Sequence, residues 1–134
     1  MLIRTIDESW SDQRGGQTSF LLLGSGGQGS DRLSVTWVLA PAGSEQARHD
    51  HPTSEQAYVI IAGRGLMMVE DEMFEVAPGT LVLLEPGETH SIRGVSEEPL
   101  VYVTATAPPL EISPRRWSTP LRRHSETKAR PRDE

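Results

Sequence analysis

Seven short apolar runs, together enriched in β-branched residues and separated by turn signals, constrain this chain most. TSFLLLG, RLSVTWVLA, QAYVIIAG, GLMMVE, MFEVA, TLVLLE and LVYVTATA are separated by GSGGQGSD, PAGSE, GRG, EDE, PGT and EPGE. Runs of this length at near-regular spacing, with no helical period, predict an all-β sandwich or barrel. MMVEDEMFEV reads as a hairpin with Asp71 at or near its tip, and GSGGQGSD as a flexible hairpin loop. No helix follows that glycine run, so it is not read as a phosphate cradle.

The chain has 134 residues, enough for one domain with a real core. It lacks cysteine, which excludes disulfides and thiolate metal sites. Acids interrupt MLIRTIDESW where a signal peptide needs an apolar stretch, and no run is long enough to span a bilayer. These features predict a soluble, cytoplasmic protein with no membrane partner. Residues 1–110 carry six Lys/Arg against fifteen Asp/Glu, a balance of −9, whereas residues 111–134 carry seven against four, or +3. The acidic body argues against a nucleic-acid partner, because a phosphate backbone would be repelled.

Beyond Ala107 the composition changes, and Pro108, Pro109, Pro114 and Pro120 exclude a central strand. The expected organisation is one barrel over 1–110 followed by a Pro-rich basic tail over 111–134, partly disordered, with Trp117 as its one plausible anchor. His124 falls in that tail and is read as solvated.

The chemistry lies in the other histidines. His49 and His51 are two residues apart, so on an extended segment both imidazoles point to one side. His90 follows the strand and Pro-Gly turn of PGTLVLLEPGETHSIRG, which returns the chain antiparallel and puts His90 across from that pair. Three neutral imidazoles around one cavity would leave room for an oxygen ligand, from either Glu55 or Gln56.

These segments resemble the two motifs of the cupin superfamily. GSEQARHDHPTSEQAYVIIAG, residues 43–63, matches the first through Gly43, His49, His51 and Gly63. GTLVLLEPGETHSIRG, residues 79–94, is similar to the second through Gly79, Gly87 and His90. It departs from that motif at Glu85, where proline is usual, and at Gly94, where asparagine is usual. The resemblance implies a single-domain cupin barrel, that is, a double-stranded β-helix or jelly roll. It also implies one divalent transition metal (Fe, Ni, Mn, Zn or Cu) on His49, His51 and His90. Counting along the first motif, both from His51 with four intervening residues and back from Gly63, selects Gln56 as the fourth ligand, with Glu55 on the opposite face; the motif's alternative spacing, with three intervening residues after His51, would select Glu55.

A neutral carboxamide would leave the ion at +2, where a carboxylate would leave +1. The result is a stronger Lewis acid that holds anions better and is itself held less tightly. The His-x-His-x4-Gln pattern with a later histidine is similar to that of small cupins acting on unsaturated uronates. It implies a small, carboxylate-bearing substrate or ligand such as a sugar acid or keto acid. Isomerase or lyase chemistry is the leading expectation, dioxygenase chemistry the second, and a non-catalytic metal- and small-molecule-binding cupin the alternative. Tyr58 shares parity with Gln56 and is the candidate proton donor. Trp37, Met67 and Tyr102 read as ordinary packing, Arg48 points off the ligand face, and Arg64 and Arg93 read as surface charges. The resemblance also implies a homodimer.

Overall fold

The structure is a computed structural model that describes residues 1–111 and 116–120. Among the described residues, nine strands follow a short 3-10 turn: β1 (Trp10–Arg14), β2 (Gln17–Leu23), β3 (Ser34–Ala40), β4 (Glu55–Ala62), β5 (Gly65–Val69), β6 (Glu72–Val76), β7 (Leu81–Leu84), β8 (His90–Gly94) and β9 (Leu100–Ala107). They form a six-stranded sheet in the order β1-β2-β3-β9-β4-β7 and a three-stranded sheet in the order β6-β5-β8. This is the all-β jelly-roll arrangement expected from the punctuated apolar runs.

Period-two burial explains the layering. Buried positions alternate along β3, β4 and β9, and Val38, Ile60 and Tyr102 pack inward with Met67 and Ile92 of the facing sheet. The inner face is graded along the barrel. Ala40 and Leu100 pair at one end, Val38, Tyr102 and Ile60 form the next layer, and Thr36, Thr104 and Tyr58 the one after. Ser34, Thr106 and Gln56 complete the polar end, and all three are buried. The apolar end is core, and the polar end is where the histidines gather.

The expected hairpin at Asp71 is present: Val69 pairs with Glu72, leaving Glu70 and Asp71 as the loop. The GSGGQGSD segment does connect two paired strands, β2 and β3. It is tied down by Arg4, whose Nη1 donates to the carbonyls of Leu22 and Gln28.

β1 falls outside the apolar runs, because WSDQR buries no apolar stripe of its own. Its signal is the Gly15-Gly16 turn, in which both φ angles are positive (59° and 83°) and Arg14 pairs with Gln17. Gly15 is also required by proximity, since a Cβ there would run into the carbonyl oxygen of Glu45. Of the C-terminal tail, Ser118 pairs with Ser11 of β1 through two backbone hydrogen bonds of 2.7 and 3.0 Å. Residues 112–115 and 121–134 of the tail, His124 among them, lie outside the described residues.

Candidate metal centre

The segment between β3 and β4 runs beside β8 without becoming a regular strand. Glu45 bridges Arg93, and His49 bridges His90. Gly43 donates its backbone N–H to the Gly94 carbonyl at 3.1 Å. A side chain at position 94 would place its Cβ 2.7 Å from the Ala40 carbonyl oxygen, which accounts for glycine where the motif has asparagine. The other departure is equally local. The Glu85 N–H donates to the Glu88 carboxylate at 2.8 Å, a bond that proline could not make. In the same turn the Gly87 N–H donates to the His51 carbonyl at 2.9 Å, tying the second motif to the first.

The three histidines converge. Their nitrogen donors lie within 4.8 Å of one another, and the ring centroids are 4.4 to 5.4 Å apart. Nδ1 of His49 lies 2.8 Å from the Ala47 carbonyl, and Nδ1 of His90 lies 2.8 Å from the Glu88 carbonyl. A carbonyl only accepts, so both Nδ1 atoms carry the hydrogen, which leaves Nε2 as the nitrogen through which each ring could ligate. Burial holds His90 down to about 4, more than its hydrogen bond to Glu88 raises it. Burial, and then the neighbouring His49, likewise lowers His51. His90 and His51 are therefore neutral at pH 7, as metal ligands must be.

Two features ask for a cation. Nε2 of His51 is buried with no hydrogen-bond partner. Oε1 of Gln56 lies 3.1 Å from Nε2 of His90, while the amide nitrogen of Gln56 donates to Thr106 Oγ1 at 2.8 Å. In that arrangement the carboxamide oxygen and the Nε2 lone pair of His90 are neighbours, a pair that a metal ion could bind and that turning the Gln56 amide over would convert into a hydrogen bond. The residues present therefore fit a metal ion, with Gln56 placed beside the histidines and Glu55 exposed on the opposite face of β4.

Tyr58 is fully buried beneath this cluster, with its ring edge-on to His90 at 5.8 Å and stacked on Tyr102 at 5.2 Å. Its hydroxyl donates to Gln46 Oε1 at 3.1 Å, and burial pushes the phenol well above its ordinary range. Arg48 turns away from the histidines, as parity required, and donates to the Glu70 carbonyl at 2.7 Å.

A cleft of about 850 Å³ opens beside His49 and His51. Its other walls include Asp12 and Arg14 of β1, Gln17 of β2, and Arg116 and Trp117 of the C-terminal segment. Asp12 is paired with Arg14 at 3.3 Å. Burial raises the Asp12 carboxyl more than the charge of Arg116 lowers it. The sequence-derived site contained neither Asp12 nor Arg14. The Gly15-Gly16 turn was the signal that could have found them, because it marks β1 as a strand.

Comparison with known proteins agrees with this geometry. The cupin domain family model matches residues 35–106, more than half of the chain. An uncharacterized protein of Methanocaldococcus jannaschii is 37% identical over 78 residues, covering 58% of this chain and 62% of that relative, so the chain spans less than two thirds of the relative's length. Among solved structures, KdgF from Halomonas sp. superposes with a TM-score of 0.70 at 16% identity, over 83% of this chain and 96% of that one. A predicted oxalate decarboxylase from Thermotoga maritima gives 0.69 at 18% identity, over 80% and 98%. With the two-sheet jelly roll and the histidine cluster at its polar end, these matches establish that the chain belongs to the cupin family.

Proposed function

We propose that this protein is a metal-dependent cupin in which His49, His51, His90 and the carboxamide oxygen of Gln56 hold one divalent transition metal (Fe, Ni, Mn, Zn or Cu). The cleft beside them takes a small, carboxylate-bearing metabolite such as a sugar acid or keto acid. The observation that carries this reading is the buried, unpartnered Nε2 of His51 next to two imidazoles whose Nδ1 hydrogens are already committed to carbonyls. A bound ion supplies Lewis-acid polarisation of a substrate carbonyl or carboxylate oxygen. The chain's own contribution is a wholly neutral ligand set, which preserves the ion's full charge for an anionic ligand. Such a set supports isomerase or lyase chemistry first, and dioxygenase chemistry second if the ion is redox-active.

The non-catalytic alternative, a cupin that binds metal and metabolite without turnover, is favoured by Tyr58. Its phenol is pushed far above neutral and its hydroxyl is held on Gln46, so it serves as a hydrogen-bond donor rather than a proton source near pH 7. A homodimer belongs to the same proposal. It is supported by β7, an edge strand that exposes Leu81 and Leu83. No helix among the described residues is long and apolar enough to cross a membrane. A cytoplasmic site of action is proposed from the sequence features alone.

Elemental mass spectrometry of untagged protein beside the His49→Ala/His51→Ala variant tests the metal. Near-stoichiometric metal that is lost in the variant supports the reading. Folded protein that takes up no divalent metal on reconstitution sinks it.

A further inference from the structure

The cleft has two origins. The side bearing His49 and His51 comes from the stretch that matches the cupin family, residues 35–106. Facing it are Asp12 and Arg14 of β1 and Arg116 and Trp117 of the C-terminal segment, all outside that stretch. The backbone pairing of Ser118 with Ser11 holds the C-terminal segment against β1. The histidine side thus lies within the family-matched stretch, and what opposes it lies outside that stretch.

Charge separates the cleft from the rest of the molecule. Its ionisable lining is balanced, with Asp12, Glu45 and Glu111 against Arg14, Arg48 and Arg116, in a chain whose net charge is −6. Arg48 is engaged with the Glu70 carbonyl, and Glu45 and Glu111 are exposed. The Arg14–Asp12–Arg116 group carries net +1, and a divalent ion at the histidines would add +2. An anion repelled by most of the acidic surface is drawn here. Trp117 is half-buried and, with Leu110, adds apolar surface to the same wall.

We propose that Arg116 and Trp117 form a recognition wall for a ring-bearing carboxylate. Arg116 pairs with the carboxylate, and the ring lies on the indole of Trp117 with its remaining polar groups toward His49 and His51. The placement of the polar end rests on the metal reading above, whereas the wall itself is independent of it. Planar guanidinium suits a carboxylate, and indole suits the flat face of a ring.

The probes are benzoate, benzamide (ring kept, charge removed) and acetate (charge kept, ring removed), titrated into zinc-loaded, ¹⁵N-labelled protein. The chain has three tryptophans, so three indole N–H resonances report. Benzoate is expected to move the Trp117 resonance and leave those of Trp10 and Trp37 in place. It is expected to bind about fivefold or more tighter than either control, the scale of one charge-assisted contact. Arg116→Gln should reduce benzoate to the level of benzamide. Trp117→Ala should reduce it to the level of acetate, and Trp117→Phe should restore part of the difference.

An unmoved Trp117 resonance, or a benzoate preference that survives both Arg116→Gln and Trp117→Ala, overturns the proposal. Zinc content is measured on every sample. If the unmutated protein holds no zinc, the metal reading fails by itself. The same three probes on metal-free protein then decide the wall: a benzoate preference that depends on Arg116 and Trp117 supports it, and no preference overturns it.

Discussion

His49 and His90 exchange both backbone hydrogen bonds, at 3.0 and 2.8 Å, although one precedes β4 and the other opens β8. Each also commits its Nδ1 to the carbonyl two residues upstream. One antiparallel bridge therefore joins the two cupin motifs and brings the two imidazoles into one cluster, with the ring orientations fixed by the chain rather than by an ion. A metal taken up there would meet donors that are already ordered, which would lower the ordering cost of binding.

The charge of the proposed fourth ligand, Gln56, is the first thing to alter. Gln56→Glu is expected to raise affinity for a divalent ion about tenfold or more and to lower the melting temperature of the metal-free protein, because a carboxylate would then be buried at a site only 4% exposed. Thr106→Val removes the hydroxyl that accepts from the Gln56 amide and is expected to cost about tenfold in metal affinity, as for other groups that orient ligands. Competition with a chromogenic chelator measures both. Affinities unchanged in both variants would remove Gln56 from the ligand set.

Asp12 gives a pH signature independent of the histidines. Burial is the main cause of its raised carboxyl, so the folded chain holds this proton to higher pH than the unfolded chain does. The stability it costs is absent well below the ordinary value of 3.8 and is incurred as pH rises through and above that value. Asp12→Asn is therefore expected to raise the urea midpoint at pH 7 and to lose that advantage in acid. A midpoint that falls at pH 7 would show that the ion pair with Arg14 outweighs burial.

Tyr58→Phe separates packing from chemistry. The ring keeps its place between His90 and Tyr102, and only the hydrogen bond to Gln46 is lost, at a cost of about 1 kcal/mol. Metal content should not change. Once a substrate is in hand, turnover that survives the change would exclude a chemical role for the phenol.

Restoring the usual motif residues should harm this chain. Gly94→Asn drives a Cβ against the carbonyl oxygens of Ala40 and Pro41 and is expected to cost about 1–3 kcal/mol. Glu85→Pro removes an exposed N–H···carboxylate bond to Glu88 and is expected to cost less than about 1 kcal/mol. Thermal melts of the two variants should rank in that order.

Sequence alone determined what depends on short spacing. Alternation along β3, β4 and β9 is a property of consecutive residues, so the strands and their inward faces were legible. The same parity put His49 with His51, and Gln56 with Tyr58 but opposite Glu55. Motif spacing then named the family. Tertiary structure decided whatever depends on segments remote in the chain. The Pro-Gly turn suggested that His90 lies across from the first pair, but only strand pairing could fix its register on His49, because such a contact stabilises the fold only once a long loop has closed. Only the close approach of Gly94 to Ala40, and the N–H that Glu85 gives to Glu88, explain why the second motif is irregular here. The wall facing the histidines was hidden for the same reason: β1 buries no apolar stripe, and Arg116 and Trp117 reach the cleft because Ser118 pairs with Ser11, a contact with no trace in either local sequence.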